Sequence, residues 1–152
     1  MHFNMNQMME TIISGQEQEC SANTTELLHA IVDKTKLVRN CIVYDKAGDL
    51  EEDDIDFDSI LQMVGDWTGY EAGCNELRIP KQSIPPDQYL ALTEGLGRML
   101  SDKYGGRDCA VYLSLMEEEI DLRFHTIREN EVLWLDENLD NYDCPILCWI
   151  QE

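Results

Sequence analysis

The spacing of hydrophobic residues predicts helices in the first two thirds of the chain and strands in the last third. Apolar residues that recur every three or four positions are typical of a helix with one buried side, whereas β-branched runs and strict alternation are typical of strands. Helices are predicted over residues 5–13, from 23–25 to 32, over 57–64 and over 89–100. Strands are predicted over residues 37–44, 75–79, 109–116, 120–127, 132–135 and 145–150. The glycine-rich segment 66–74 is predicted to be a loop.

This order of elements predicts an α+β fold, with N-terminal helices packed on a mainly antiparallel C-terminal sheet. At 152 residues the chain has the usual size of a single domain, which we expect to span residues 1–152. Its first 22 residues are predicted to form a Met-rich helix, ended by Ser14-Gly15, and a polar linker. The apolar stripe of this helix is expected to pack on the domain's own core. The alternative, which would make the helix peripheral, is docking on another chain or exchange between protomers.

Acidic residues dominate the composition. The chain has 31 Asp and Glu against 11 Lys and Arg, a net charge of −20, yet 43% of its residues are hydrophobic, which is enough to build a core. Carboxylates repel phosphate backbones and anionic lipid surfaces, so the composition argues against nucleic-acid and membrane binding. A basic protein is the natural complement of such a chain.

Two features favour a cytosolic protein. No apolar run approaches the roughly 18–20 residues that span a bilayer, and no basic residue precedes the apolar positions at the N-terminus, so neither anchoring nor export is predicted. The six cysteines lie mostly in apolar segments such as CIVY and CAVYLSL. We therefore expect free, mostly buried thiols rather than disulfides.

The negative charge is concentrated in two runs. Residues 45–76 carry a net charge of −10 and residues 117–143 carry −8. Solvated acidic turns are the simpler interpretation, but aromatic side chains beside carboxylates are typical of protein interfaces. The first predicted partner-binding surface consists of Asp53, Asp54, Asp56, Asp58, Asp66, Trp67, Tyr70 and Glu71. The second consists of Asp136, Glu137, Asp140, Tyr142 and Asp143.

The motifs that would hold a metal or a cofactor fail on inspection. The run Asp54–Asp58 begins like a calcium-binding loop, but Ser59 stands at the sixth position and Gly65 at the twelfth, where glycine and glutamate are required. Gly95 and Gly97 lie within a helical pattern and follow no strand, so helix packing explains them better than phosphate binding. We predict no metal and no cofactor.

One strand offers the only arrangement that could suggest catalysis. In the predicted strand 120–127, polar residues alternate with apolar ones, so Asp121, Arg123 and His125 are expected to share a solvent-facing side. A histidine beside a carboxylate and a cation resembles a minimal acid/base group. Any solvent face of a strand looks similar, however, and no nucleophile is placed beside it. An enzyme is therefore a third alternative, and we predict no catalytic residue.

The chain combines small size, strong acidity, free cysteines and the lack of a catalytic motif. It also has acidic patches beside aromatic residues, as in Asp66-Trp67-Thr68-Gly69-Tyr70-Glu71. In these features the chain resembles the acidic immunity proteins of bacterial polymorphic or contact-dependent toxin systems. The resemblance implies a non-enzymatic protein whose partner is a toxin, namely a nuclease with a basic cleft that carboxylates would block. The alternative is an acidic adaptor or regulatory subunit that binds a basic cellular protein.

Overall fold

Helices and antiparallel strands build the α+β fold that the sequence predicts. The computed structural model describes residues 2–13 and 19–151. Its α-helices are α1 Gln7–Ile13, α2 Ala22–Asp33, α3 Phe57–Val64, α4 Trp67–Cys74 and α5 Tyr89–Lys103. Its strands are β1 His2–Met5, β2 Thr35–Val38, β3 Cys41–Tyr44, β4 Leu77–Pro80, β5 Cys109–Leu115, β6 Glu119–Thr126 and β7 Ile146–Ile150.

The main sheet has five antiparallel strands in the order β1-β7-β5-β6-β4, and β2 and β3 form a separate hairpin. Helices α2 and α5 cover one side of this sheet, because their apolar stripes match its buried face. Leu96 of α5 and Phe124 of β6 are fully buried in this layer. Gly97 lies directly against the ring of Trp149 in β7, so helix packing does explain this glycine.

The other side of the sheet is also covered, which the sequence pattern did not predict. The irregular chain from residue 127 to 145 lays Leu133, Leu139 and Tyr142 over Tyr112 and Cys148 of the sheet. The predicted strand 132–135 is therefore wrong, since this segment forms no ladder. The predicted solvent face of strand 120–127 is wrong for the same reason, since His125 is buried and Asp121 and Arg123 are only partly exposed.

The N-terminal segment belongs to the main body. Residues 2–5 form an edge strand on β7, which the predicted helix over 5–13 did not include. The helix begins at Gln7 because buried Asn6 interrupts it: its side-chain oxygen accepts from the backbone N–H of Met9 and of Ile146. Met9 is fully buried in the main core, so the helix packs on its own domain. The predicted helix end at Ser14-Gly15 lies outside the described residues.

Two further predictions change in the middle of the chain. The predicted strand 37–44 is a hairpin, turned at Arg39 and Asn40, whose φ angles of 48° and 68° are those of a tight turn. The predicted loop 66–74 is α4, because Asp66 caps its first turn and outweighs the cost of two glycines. The other predicted helices, including α3 ended by Gly65, are confirmed.

The six cysteines are free thiols. Cys41, Cys109 and Cys148 are buried, and burial raises the pKa of each to about 12. A thiol with so high a pKa remains protonated at neutral pH and is a poor nucleophile or metal ligand. These three cysteines therefore serve as small core residues.

Candidate functional site

The exposed carboxylates of the first acidic run stand on a short 3-10 turn, Glu52–Asp54, and on the first turn of α3. Asp53, Asp54 and Asp58 are all exposed. Within residues 2–13 and 19–151, no hydrogen bond or ion pair engages their carboxylates. Their charge is thus directed into solvent, and we call these three residues the acidic face.

Asp56 lies within the same run but has a structural task. Its two carboxylate oxygens accept from the Ser59 backbone N–H at 3.2 Å and from the Ser59 hydroxyl at 2.8 Å. These hydrogen bonds hold the pKa of Asp56 below its usual value and cap the N-terminus of α3. Asp56 therefore orients the acidic face, and each of its carboxylate oxygens already accepts one hydrogen bond within the chain.

Two carboxylates hold the N-terminus of α4. Asp66 accepts from the Gly69 backbone N–H at 2.7 Å, as an N-cap does. Glu131, from the loop after β6, accepts from the backbone N–H of Thr68 at 2.7 Å and of Trp67 at 3.3 Å. Burial alone would raise the pKa of Glu131, but its hydrogen bonds lower it. The second acidic run is therefore joined to the first at this helix end.

The aromatic residues form a cluster between α3, α4 and the hairpin. The ring centroid of Trp67 lies 5.8 Å from that of Phe57 and 6.2 Å from that of Tyr70. Arg39 stacks its guanidinium 4.5 Å above the Phe57 ring. Trp67 remains half-buried, but Tyr70 is only 8% exposed. The prediction that Tyr70 anchors a partner is wrong: helix formation turns its ring into the core.

Glu71 is a second correction to the predicted binding surface, since its side chain is completely buried. Its carboxylate accepts from the Ile42 backbone N–H at 2.6 Å, from the backbone N–H and hydroxyl of Thr126, and from the Arg128 guanidinium at 3.1 Å. Glu71 thus ties the hairpin, α4 and β6 together. A carboxylate with this many internal donors cannot contact a partner.

The second predicted surface lies elsewhere on the molecule, beside α1. Asp140 accepts from the Gln7 backbone N–H at 2.9 Å, and Asp136 accepts from the backbone of Asn138 and the side chain of Asn141. Tyr142 is half-buried and accepts from the Asp136 backbone N–H. Glu137 and Asp143 are exposed. This set is therefore mostly a stabilised turn, and only Glu137 and Asp143 combine exposure with carboxylates free of hydrogen bonds within the described chain.

Exposed apolar side chains beside the acidic face were missed by the sequence analysis. Met63, on the outward side of α3, is 87% exposed, and the next residue, Val64, is 46% exposed. Val132 is 79% exposed and adjoins Glu131, which caps α4 close to Val64. A signal for Met63 did exist, because it falls outside the helical stripe of Phe57, Ile60, Leu61 and Val64.

His125 is buried beneath Trp134 rather than exposed to solvent. Its side chain is 1% exposed; its Nδ1 donates to the Thr126 carbonyl at 2.8 Å, and its Nε2 accepts from the Tyr112 hydroxyl at 2.9 Å. Burial lowers the pKa of His125, which favours this neutral form. With both ring nitrogens engaged inside the protein, His125 has no access to a substrate.

Asp121 and Glu76 form a carboxylate pair between two arginines. Arg123 bonds Glu76 at 2.6 Å and lies 3.6 Å from Asp121, and Arg78 lies 3.6 Å from Glu76. Burial and the neighbouring Glu76 raise the pKa of Asp121 to about 6. Two carboxylates held together cannot both ionise at low cost, so Asp121 retains its proton to unusually high pH.

Replacing Asp121 by Asn is expected to stabilise the protein at high pH. In the unfolded chain Asp121 titrates near its ordinary value of 3.8, whereas in the folded protein it titrates near 6. Ionisation of Asp121 therefore lowers the free energy of unfolding. The loss is absent below pH 4, grows between pH 4 and 6, and is complete above pH 6. We expect Asp121→Asn to raise the free energy of unfolding by about 1 kcal/mol at pH 8 and not at pH 4. Urea unfolding at both pH values checks this, and a gain independent of pH would contradict it.

Neither a metal centre nor a membrane span is found in the described residues. Over residues 2–13 and 19–151, no three His, Cys, Asp or Glu side chains are grouped so that they could hold a metal ion. None of the helices in those ranges is long and apolar enough to cross a bilayer. The candidate functional site consists of the exposed carboxylates and apolar side chains around α3.

Comparison with known proteins identifies the family of the chain. No curated protein and no solved structure matches it. Residues 4–151 match the Uncharacterized protein PM0498 family. Because the match covers nearly the whole sequence, both acidic runs and every element from α1 to β7 lie within it. The chain belongs to the Uncharacterized protein PM0498 family.

Proposed function

We propose that this protein acts by binding a basic protein surface, without catalysing a reaction, and that its partner is a nuclease toxin which it neutralises. The observation that carries the proposal is the acidic face. Asp53, Asp54 and Asp58 are exposed, and no cation on the described chain is paired with them. Three uncompensated carboxylates on neighbouring turns favour a cationic partner.

Exposed apolar residues beside the acidic face support an interface rather than a solvated surface. Met63 is 87% exposed, although transfer of its side chain out of water is favourable. Protein interfaces combine an apolar centre with a charged rim, and methionine is enriched at their centres. Met63 and Val64 would supply the apolar centre, and the acidic face would supply the charged rim.

Binding by charge explains how neutralisation would work without chemistry. A nuclease holds its phosphate substrate in a cleft of basic residues. Carboxylates from the acidic face would take the place of phosphates there, and the apolar side chains of α3 would exclude water around them. The net charge of −20 would steer the two proteins together and make association fast at low salt. Free thiols are consistent with a site of action in the bacterial cytosol.

Purification from the native host tests the proposal. The tagged protein is isolated at low salt, and any bound protein is identified by mass spectrometry and assayed for nuclease activity. A basic partner whose nuclease activity is abolished at a one-to-one ratio would support neutralisation. A basic partner that has no toxic activity would contradict the immunity role and identify an adaptor instead. A partner that is itself acidic would contradict the whole proposal.

Reversing the acidic face is expected to weaken binding of that partner. The variant Asp53→Lys, Asp54→Lys, Asp58→Lys should raise the dissociation constant at least about tenfold, because attraction becomes repulsion at the contact. Asp56 is left unchanged, since it caps α3. The matched control, Glu10→Lys, Glu26→Lys, Asp102→Lys, alters three exposed acids on other elements. Each substitution adds two charges, so both variants carry −14 instead of −20. Equal weakening in both would show that only net charge matters and would reject the acidic face as the interface.

A further inference from the structure

A groove of about 890 Å³ runs between α2 and the edge strand β4. Leu27 and Ile31 of α2 and Leu77 and Ile79 of β4 are among the apolar residues that line it. None of the residues of the acidic face lies in its walls. The groove therefore raises a question of function separate from that of the basic partner.

The groove gives access to an unpaired strand edge. In the main sheet β4 is bonded to β6 on one side and is the last strand on the other. The Lys81 backbone N–H donates to the Glu118 carbonyl at 3.0 Å, so the backbone groups of Lys81 face the chain that leads into β6. Because hydrogen bonding alternates along an antiparallel strand, the backbone groups of Ile79 also face β6, whereas the N–H and C=O of Arg78 face outward. Pro80, which has no N–H to offer, is typical of such an edge. An incoming strand could thus pair with β4 at Arg78.

The groove differs from the rest of the surface in the Lys and Arg side chains that line it. Nine of the eleven Lys and Arg side chains contact a carboxylate, a carbonyl, an amide or an aromatic ring elsewhere on the chain. Lys34 and Lys46 are the two for which the described residues provide no such contact. Both line the groove, together with Arg78 and the one carboxylate in the lining, Glu76, which is paired with Arg78. The cations that remain available on a highly acidic protein are therefore gathered at one place.

We propose that this groove binds an extended acidic peptide segment, which pairs with β4 as an additional strand. Main-chain bonds to Arg78 would provide affinity, alternate side chains would enter the apolar floor, and acidic side chains on the other face would reach Lys34 and Lys46. At about 0.15 M salt the Debye length is about 8 Å, so carboxylates farther away repel the peptide little while the lysines at the rim still attract it. This proposal goes beyond the proposed function and does not depend on it.

Synthetic peptides test the proposal directly. A capped EVEVEV peptide is titrated into the ¹⁵N-labelled protein in about 0.15 M salt. We expect saturable binding that shifts the Arg78 amide resonance, and binding about tenfold weaker both for a KVKVKV peptide and for an EVEVEV peptide with methylated backbone nitrogens. If the methylated peptide binds equally well, no strand is added and the proposal fails. If the basic peptide binds as well as the acidic one, or if neither binds, the proposal also fails.

Two variants with the same net charge distinguish a local effect of Lys34 and Lys46 from an effect of the net charge of the protein. Lys34→Gln with Lys46→Gln is expected to weaken EVEVEV binding about tenfold. The control, Gln62→Glu with Asn130→Asp, alters two exposed residues outside the groove and also brings the net charge from −20 to −22. Circular dichroism verifies that both variants fold. Equal affinities of the two variants would overturn the role of the lysines, whereas the result has no bearing on the acidic face.

Discussion

Replacing Glu71 by Ala is expected to lower the free energy of unfolding by about 3–5 kcal/mol. The carboxylate is fully buried and accepts from Ile42 in the hairpin and from Thr126 and Arg128 at the end of β6, two distant parts of the chain. Removing it leaves two backbone donors and the Thr126 hydroxyl without their acceptor, and it leaves the Arg128 guanidinium without its carboxylate partner. The cost is that of unpaired buried polar groups rather than of one lost ion pair.

Urea unfolding of Glu71→Ala, Glu71→Gln and Arg128→Met measures this effect. Glu71→Gln retains one acceptor oxygen, so this variant should remain folded even if the alanine variant does not. It should still lower the free energy of unfolding by more than about 1 kcal/mol, because the buried ion pair with Arg128 is lost. Arg128→Met should cost less than Glu71→Ala, because the Glu71 carboxylate keeps its donors from Ile42 and Thr126, but it still leaves that buried charge without a cation. A Glu71→Ala variant as stable as the wild type would show that this network does not hold the hairpin to the sheet.

Replacing Gly97 by Ala is expected to destabilise the protein by about 2 kcal/mol or more. A Cβ at this position would overlap the ring carbons of Trp149, which is fully buried and cannot move aside without displacing the core. Overlap of this kind forces the helix away from the sheet. The loss outweighs the gain of about 1 kcal/mol that alanine normally gives over glycine in a helix.

Two other helical glycines provide the controls for this prediction. A Cβ at Gly73 in α4 meets no atom within 4 Å, so Gly73→Ala should stabilise the protein by up to about 1 kcal/mol. A Cβ at Gly95 meets the Leu28 Cδ1 at 2.6 Å, which is the end of a side chain that can rotate, so its effect should lie between the two. Thermal unfolding ranks the three variants. A Gly97→Ala variant as stable as Gly73→Ala would contradict the packing of α5 on β7.

The elements that could be predicted from sequence are those with a strong periodic pattern. The helical stripe through Leu92, Leu96 and Leu100 predicts α5, and the alternation of Ile120, Leu122 and Phe124 predicts the core face of β6; all six are fully buried. In these elements local pattern and tertiary environment agree. The α+β class follows from their order along the chain.

The elements that could not be predicted depend on individual side chains or on distant parts of the chain. Asn6 ends β1 and begins α1 through bonds to residues near position 146, which no local window contains. Asp66 starts α4 in a segment whose glycines favour a loop. The irregular chain over residues 127–145 buries the second face of the sheet, and alternation in β6 alone cannot show that its polar side is covered.

The sequence alone predicted only part of the candidate site. It identified Asp53, Asp54 and Asp58, which are exposed, because charge runs show directly in composition. It also included Tyr70 and Glu71, which are core residues, because type and spacing cannot distinguish a buried carboxylate with four donors from a solvated one. The exposed side chain of Met63 and the lysines of the β4 groove became apparent only from the three-dimensional arrangement.

The association rate constant for the co-purified partner, measured by stopped flow across a range of salt concentrations, tests the central claim most directly. If the acidic face captures a basic surface, the wild-type rate should fall steeply with salt, and reversal of Asp53, Asp54 and Asp58 should lower the low-salt rate about tenfold or more. The control reversal of Glu10, Glu26 and Asp102, with the same net charge, should retain most of that rate. A wild-type rate insensitive to salt, or an acidic-face variant that associates as fast as the control, would contradict the account.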